Sequence, residues 1–337
     1  MFTLGRRETA RWAVPHWLIE ERELAQVNEY IRKCTAFVGY PTDHNGFCAV
    51  GTGFFVNITD EEFDFGYFVT AAHLVWPQRW KSNADAFEGQ PVSLRVDRKT
   101  DEPDVQTVAN TDWVFHPDKR VDLCALPSGI NTGTTDGVHD VLFSNIQNTA
   151  LVGDYLERSG LTYGDEVFIA GAFVGRIGEK RNIPIIRIGN IAAMPEEPIS
   201  YGSPRKPAYL IETRSLGGTS GSPVFFSGTT HRTQGPRLAP PVVGVTNTQT
   251  GKTQITMIMP YALVGMVLRS ISGNYAEEFP DEDGSIVPSK DADFNSGISI
   301  VMTAADILDF LKNDKILKNM RSECLAESRA RSGVRET

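Results

Sequence analysis

Residues 217–224 read GGTSGSPV, and this stretch decides how the rest of the chain is interpreted. It places Ser220 in a glycine-rich turn, where residues without side chains let the backbone bend tightly. A serine hydroxyl is a poor nucleophile at neutral pH and needs a base within hydrogen-bond reach. Backbone N–H groups in a tight turn also stabilise a developing oxyanion without reorganising, and we expect Gly218 and Ser220 to supply them. The stretch therefore predicts a nucleophilic serine with its oxyanion hole.

A histidine and an aspartate in fitting surroundings precede this turn. The stretch VTAAH predicts an apolar strand that ends at His73, and the stretch VDLCAL places Asp122 at the entrance of another strand. His73 would take the serine proton, and Asp122 would hold the imidazole in the required tautomer and stabilise its positive charge. Asp112 and Asp118 lie nearby, but only Asp122 is directly followed by an apolar strand. The aspartate of the triad is therefore predicted to be Asp122.

The order of these residues along the chain separates classes of serine hydrolase. Triads on the α/β-hydrolase fold run serine, acid, histidine, and subtilisin-type triads run aspartate, histidine, serine. Here the order is His73, Asp122, Ser220, which fits neither class. A Gly-x-Ser-x-Gly elbow is also missing around Ser220, because position 222 is a serine. The order favours a chymotrypsin-type hydrolase.

A family resemblance is carried by six segments within residues 35–250, namely residues 51–56, 68–73, 116–126, 163–171, 219–224 and 242–245. These segments resemble the trypsin-like serine peptidases, most closely the bacterial branch of glutamyl endopeptidases and high-temperature-requirement proteases. The resemblance implies an all-β-dominated fold, in which two six-stranded antiparallel β-barrels of the chymotrypsin type carry N- and C-terminal helices. Thr219 departs from the Asp or Asn common in the family, and residues 250–300 match poorly.

The resemblance also implies an activity. It predicts a serine endopeptidase that hydrolyses peptide bonds through an acyl-enzyme on Ser220, with His73 as general base and Asp122 as orienting carboxylate. The expected partner is a protein or peptide substrate. Two alternatives stay open: a non-catalytic binding or scaffolding module of the same fold, and an esterase-like activity, which a fold alone does not exclude.

The specificity pocket is predicted from the resemblance alone. Arg214 lies six residues before Ser220, in a region that forms the pocket floor in trypsin-like enzymes. An arginine there would favour an acidic substrate residue, whereas the plain alternative is a loop side chain that points to solvent. Thr246 corresponds to a pocket-lining position where glutamyl-specific relatives tend to have histidine, which weakens the acidic preference.

Strand patterns and turn signals divide the chain. We expect an N-terminal helical extension over residues 1–33, with its helix at 16–33, a protease domain over 34–310, and a C-terminal helix end and polar tail over 311–337. Barrel one is expected at about 34–140 and barrel two at about 150–303, joined by a linker at 127–150. The predicted strands are 35–40, 48–58, 65–74, 91–96, 105–109, 121–126, 167–170, 185–191, 208–213, 223–226, 242–246, 254–259 and 298–301.

Two features are expected near the C-terminus. Residues 277–293 are rich in acidic residues and contain two prolines, which indicates a solvated insertion loop. Residues 303–306 read TAAD and resemble a capping box that starts a helix. The polar residues from Arg321 onwards are expected to fray.

Composition excludes several functions. The chain has 337 residues, 41% of them hydrophobic, and a net charge of −9, which argues against broad binding to nucleic acid or anionic membranes. It has no apolar run long enough to span a membrane, and no apolar stretch follows the basic residues near Met1. The expected location is therefore the cytoplasm. The histidines show no metal-ligand spacing and no phosphate loop occurs, so no metal or cofactor is predicted. The sequence leaves the oligomeric state open.

The four cysteines are Cys34, Cys48, Cys124 and Cys324. We interpret Cys124 as a small buried hydrophobic residue, because free cysteine is among the most buried residue types. Cys34 and Cys48 could approach across neighbouring strands, so a disulfide between them is the less favoured alternative.

Overall fold

Two β-sheets form the body of the protein, one in each half of the chain. The structure is a computed structural model and describes residues 29–42, 46–61, 63–77, 79, 90–100, 102–128, 138–199, 206–213, 218–227, 242–246, 253–258, 261–272 and 295–333. The first sheet ends at residue 145, and the second begins at residue 166.

The first lobe is one continuous sheet. Its strands are β1 Thr35–Tyr40, β2 Cys48–Asp60, β3 Phe63–Thr70, β4 Ser93–Val96, β5 Asp104–Thr107, β6 Val114–Phe115, β7 Cys124–Pro127 and β8 Ser144–Asn145. Seven strands pair in the order β5-β4-β1-β2-β3-β7-β6, and β8 runs parallel to β2. Apolar side chains of β2 and β3 meet in the core, where the Phe55 and Phe68 ring centroids lie 5.0 Å apart. The sheet has a barrel-like arrangement around this core.

The second lobe is a closed antiparallel barrel. Its strands are β9 Glu166–Gly171, β10 Ile185–Ala193, β11 Ala208–Glu212, β12 Pro223–Ser227, β15 Tyr261–Ser272 and β16 Asn295–Thr303. They close in the order β10-β11-β16-β15-β12-β9. Strands β13 Val242–Thr246 and β14 Thr253–Ile258 pair with each other in a separate two-stranded sheet. The barrel interior is filled by fully buried residues such as Val167, Val224 and Val301.

The helices are short except at the C-terminus. They are α1 Glu29–Lys33, α2 Ala72–Val75, α3 Ile146–Thr149, α4 Gly153–Ser159, α5 Ala304–Asn313 and α6 Lys315–Gly333, with a 3₁₀ turn at Asn110–Asp112. The predicted cap of α5 is confirmed, because the Thr303 hydroxyl accepts a hydrogen bond from the Asp306 N–H at 3.1 Å. No helix among the described residues is long and apolar enough to cross a membrane.

The predicted fold class is confirmed: the protein is mostly β, with a closed barrel and a barrel-like sheet, and its last elements are helices. Most predicted strands are present within a few residues of their expected bounds. The 12-residue strand β15 was not expected, and it pairs with β12 in the closed barrel. The predicted strand to Leu74 is wrong at its end, because β3 stops at Thr70 and His73 lies in α2.

The frayed C-terminal tail is also a wrong prediction. Helix α6 continues to Gly333, because the buried Arg321 anchors it to the first lobe. The Arg321 guanidinium donates to the Asp60 carboxylate at 3.1 Å and to the Tyr67 hydroxyl at 3.0 Å, at the β2–β3 hairpin. The predicted helix over residues 16–33 is described only from Glu29, and the predicted 277–293 insertion lies outside the described residues.

A buried arginine joins the two lobes. Arg95 on β4 is 4% exposed and donates to the carbonyl oxygens of Ile177, Gly178 and Glu179 in the loop between β9 and β10. It also donates to the Asn182 side-chain oxygen at 2.6 Å. Because Arg95 belongs to the first lobe and its acceptors to the second, these bonds fix one lobe against the other.

Candidate active site

His73 and Asp122 meet at the edge of the first lobe. Asp122 accepts two hydrogen bonds from His73, one from the backbone N–H at 2.8 Å and one from Nδ1 at 2.7 Å. The Asp122 side chain is 8% exposed, whereas that of His73 is 23% exposed. An ionised carboxylate only accepts hydrogen bonds, so Nδ1 carries the proton and Nε2 is left as the basic nitrogen. The pair can therefore act as an oriented general base.

The two rival aspartates are placed differently. Asp118 forms a bidentate ion pair with Arg120, with N–O distances of 2.9 and 2.7 Å. The Arg120 guanidinium is the main reason that the pKa of Asp118 falls to about 2. Asp112 lies exposed in the 3₁₀ turn before β6. Of the three aspartates, it is thus Asp122 that accepts the hydrogen bonds from His73.

The turn that carries Ser220 requires its glycines. Gly218 has φ +96° and Gly221 has φ +80°, both in the left-handed region that side chains disfavour. A Cβ on Gly221 would lie 1.9 Å from the Thr52 carbonyl oxygen, and one on Gly218 would lie 2.9 Å from the Ala172 carbonyl oxygen. The turn is therefore pressed against other backbone, which explains why the sequence has glycine at both positions.

Only one of the two serines in this turn is accessible. Ser220 is half-buried, whereas Ser222 is 0% exposed. The Ser222 N–H closes the turn by donating to the Thr219 carbonyl at 3.0 Å, and its buried hydroxyl oxygen has no hydrogen-bond partner in the described part of the chain. Ser220 is therefore the better candidate nucleophile. The N–H groups of Gly218 and Ser220 belong to this same turn, and their oxyanion role stays a prediction.

Thr52 on β2 ties the serine turn to the first lobe. Its N–H donates to the Ser220 carbonyl at 2.9 Å, and its hydroxyl donates to the Gly218 carbonyl at 3.0 Å. Its own carbonyl accepts from the Thr70 hydroxyl at 2.7 Å. Thr70 ends β3, the strand that leads to His73. The serine turn and the histidine segment thus meet at one buried threonine.

Sequence reasoning missed the role of Thr52. The stretch GTGFFV at residues 51–56 was interpreted only as the strand before the histidine. Its threonine is a polar residue with glycine on both sides in an otherwise apolar strand, which is a weak signal for a special contact. Its partners in the serine turn, Gly218 and Ser220, are more than a hundred positions away, so the sequence alone does not connect them.

A pocket opens beside His73. It is lined by Ala72, His73, Arg79, Lys119, Arg120, Val121, Asp122 and Arg269. Arg269 comes from β15, so both lobes contribute to its wall. Cations predominate in this wall although the whole chain has a net charge of −9.

The predicted specificity residues are not brought into this pocket by the described part of the chain. Arg214 lies outside the described residues. Thr246 ends β13, where its backbone pairs with Thr253 of β14, while the barrel neighbours of β12 are β15 and β9. Their roles in substrate recognition stay predictions.

All four cysteines are free thiols. The register of β1 and β2 explains why Cys34 and Cys48 do not pair: Thr35 faces Phe54 at one end, and Tyr40 faces Cys48 at the other. Five residue steps along a strand separate these ends by roughly 17 Å, too far for a disulfide. Burial raises the pKa of Cys34 to about 12 and that of Cys124 well above its usual value, so neither is a ready nucleophile.

No group of metal-binding side chains is present among the residues that the structure describes. The proposed chemistry of this site needs no metal, because its base, acid and nucleophile are all side chains. The candidate groups are the side chains of His73, Asp122 and Ser220.

Comparison with known proteins gives serine proteases of the same fold type. No protein-family model matches the chain, and no curated protein matches its sequence. Among solved structures, the chain is similar to the MamO protease domain from Magnetospirillum magneticum, at 15% identity and a TM-score of 0.42, covering 84% of this chain and 98% of that one.

Two further structures are HtrA-type or related proteases. The HtrA-type protease AlgW with a tripeptide has 12% identity and a TM-score of 0.36, and 83% of this chain covers 60% of AlgW. The inactive form of Rv3671c from M. tuberculosis H37Rv has 14% identity and a TM-score of 0.36, with 86% and 89% covered. The expected resemblance to trypsin-like and HtrA-type proteases is confirmed in these matches. At such scores the argument about function rests on this chain's own residues.

Proposed function

We propose that this protein is a serine endopeptidase in which Ser220 is the nucleophile, His73 the general base and Asp122 the orienting carboxylate. The observation that supports it most is the double hydrogen bond from His73 to Asp122, at 2.8 and 2.7 Å. That contact leaves Nε2 as the basic nitrogen, and Thr52 links the serine turn to the strand that precedes His73.

The proposed acylation step uses these three side chains. His73 Nε2 takes the proton from the Ser220 hydroxyl while Oγ forms a bond to the carbonyl carbon of the substrate. The carbonyl oxygen becomes an oxyanion, to which the N–H groups of Gly218 and Ser220 would donate. The carbon–nitrogen bond then breaks, and the leaving amine takes the proton from the imidazolium. The product is an acyl-enzyme on Ser220.

Water completes the cycle by the same steps in deacylation. His73 removes a proton from water, whose oxygen forms a bond to the acyl carbon, and the Ser220 oxygen leaves with the proton returned by His73. Asp122 stays ionised throughout and stabilises the imidazolium in both halves of the reaction. A protein or peptide is the proposed substrate because the segments around the three residues resemble those of trypsin-like peptidases, although the same groups can also cleave esters.

A protein substrate tests the proposal. Purified wild type is incubated with denatured casein, and the products are identified by mass spectrometry. We expect new peptide termini from wild type and none from Ser220→Ala. Ser222→Ala is the matched control, since it changes the buried neighbour in the same turn and should still cleave. Cleavage by Ser220→Ala at the wild-type rate would overturn the proposal.

A further inference from the structure

Arg79 is a buried arginine next to the site. It is 5% exposed, and its guanidinium donates to four backbone carbonyl oxygens of the loop between β6 and β7. Its Nη1 lies 3.2 Å from the oxygen of Lys119, 3.3 Å from that of Val121 and 3.5 Å from that of Asp118, and its Nη2 donates to that of His116. Arg79 thus holds almost the whole loop by its backbone.

The loop between β6 and β7 contains Asp122 and determines its position. The last carbonyl that Arg79 holds belongs to Val121, the residue directly before Asp122. Buried carbonyl groups need a donor, and the planar guanidinium offers five N–H groups in a fixed fork. Without it, the loop has to turn these carbonyls towards water, and the Asp122 backbone would move with them. The position of the Asp122 carboxylate therefore depends on Arg79.

The other end of Arg79 is fixed to the histidine segment. Its N–H donates to the carbonyl of Trp76, the residue that ends α2, at 3.1 Å. Its guanidinium lies over the Phe115 ring, 5.3 Å from the centroid, and that ring packs edge-on against Trp76. Arg79 also lines the same pocket as His73 and Asp122. One side chain thus connects the segment of the histidine to the loop of the aspartate.

We propose that Arg79 is a positioning residue of the active site, which sets the distance between His73 and Asp122 by holding the aspartate loop against the histidine segment. Its guanidinium donates to backbone carbonyls of the aspartate loop and acts on the reaction through Asp122. The kinetic part of this inference rests on the proposed peptidase function. The geometric part does not, because the contact between His73 and Asp122 exists without substrate.

Two substitutions separate positioning from packing. Arg79→Met keeps the aliphatic stem of the side chain but removes every side-chain donor. Arg79→Lys keeps the charge and some donors, but a single ammonium cannot reach all four carbonyls. The control is Arg95→Met, since Arg95 is equally buried and holds three carbonyls of a different loop, the one between β9 and β10. A loss of packing alone would affect the Arg95 and Arg79 variants alike.

The direct readout is the proton on His73 Nδ1. In proton NMR it gives a signal far downfield of the amides when it is held by a carboxylate, and its absence in Asp122→Asn assigns it. We expect this signal in wild type and in Arg95→Met, a shifted and weakened signal in Arg79→Lys, and none in folded Arg79→Met. With peptide substrate, we expect kcat to fall about 100-fold in Arg79→Met and about 10-fold in Arg79→Lys, with KM little changed, because misplacement of a catalytic group by about 1 Å costs about this much.

The outcomes distinguish the two claims. If wild type cleaves no peptide, the proposed function fails, while the NMR signal still tests Arg79. If folded Arg79→Met keeps the wild-type signal and kcat, the inference about Arg79 is wrong although the peptidase stands. If Arg79→Met does not fold, Arg79→Lys decides, and wild-type signal and kcat in that variant would overturn the inference.

Discussion

The two lobes hold their parts of the proposed active site by different means. In the first lobe, polar side chains hold the site: the Asp122 carboxylate accepts two hydrogen bonds from His73, and Arg79 holds the backbone of the loop that leads to Asp122. In the second lobe, the backbone fixes the serine turn through two glycines with positive φ. The geometry of the first lobe's part of the site should therefore be sensitive to the loss of hydrogen-bond donors and acceptors, whereas that of the second lobe's part should be sensitive to added atoms.

Removal of the reacting groups should give the largest fall in kcat, and the fall should be the same whichever lobe carries the group. We expect Ser220→Ala and His73→Ala each to lower kcat by about 10⁶-fold, and the double variant to be little worse, because the groups act as a unit. Asp122→Asn should cost about 10⁴-fold. Steady-state kinetics with circular dichroism checks this, and additive losses in the double variant would contradict a shared mechanism.

An added methyl group should displace the serine turn of the second lobe and lower kcat. Gly221→Ala places a Cβ 1.9 Å from the Thr52 carbonyl oxygen, so the serine turn must move, and we expect kcat to fall at least about 100-fold. Gly164→Ala is the matched control, because Gly164 also has φ +80° but no atom lies within 4 Å of its Cβ position.

The control variant should lose only the cost of a left-handed alanine, about 1 kcal/mol of unfolding free energy, with kcat unchanged. Denaturant unfolding and single-turnover kinetics measure both quantities. Equal kcat losses in the two glycine variants would show that flexibility, and not the close contact, sets the turn.

The sequence predicted the three candidate catalytic residues, but it did not predict Thr52 and Arg79, which hold their segments in place. The residue types and order of His73, Asp122 and Ser220 follow from chemistry that any such hydrolase needs, and their local motifs are short. Thr52 and Arg79 make contacts across long sequence separations with ordinary backbone atoms, which leave no local pattern. The sequence also predicted the short strands, since turn residues separate them.

The misses in the fold have physical causes. Strand β15 was overlooked because YALVGMVLRSIS, residues 261–272, is apolar on both faces and lacks the alternation of a half-buried strand. Helix α6 was expected to fray because it is polar, but one buried arginine, Arg321, anchors it. Pairing with β12 and β16 stabilises β15, and one buried side chain anchors α6; sequence periodicity shows neither contact.

Thr52 belongs to the first lobe and holds the serine turn of the second. The loss of its hydroxyl should lower stability and kcat by an intermediate amount. Thr52→Val removes the hydroxyl that donates to the Gly218 carbonyl at 3.0 Å and accepts from the Ala172 N–H at 2.8 Å. Two buried groups are then unpaired, so we expect a loss of about 2 kcal/mol of unfolding free energy and about a 10-fold fall in kcat. Thr52→Ser restores the hydroxyl and should recover both, as unfolding curves and kcat will show. A kcat in Thr52→Ser as low as in Thr52→Val would contradict the role of the hydroxyl.

The smallest predicted effect is a change in the unfolding free energy on replacement of Arg187, a buried arginine in the second lobe. Arg187 is 8% exposed, and its Nη1 and Nη2 have no hydrogen-bond partner among the residues that the structure describes, in contrast to Arg79 and Arg95. Burial lowers its pKa, since the charged form is poorly solvated. We expect Arg187→Met to raise the unfolding free energy by about 1 kcal/mol, because an unpaired buried charge is replaced by an apolar chain of similar length. Urea unfolding measures it, and a loss as large as that of Arg95→Met would show that Arg187 has a stabilising role.

Covalent labelling tests the central claim most directly, because it needs no knowledge of the substrate. The protein is treated with a fluorophosphonate, digested and mapped by mass spectrometry. We predict one adduct, on Ser220, which forms in wild type and Ser222→Ala and is lost in His73→Ala. An unlabelled wild-type protein, or an adduct whose formation does not depend on His73, would contradict the account and favour a non-catalytic binding module.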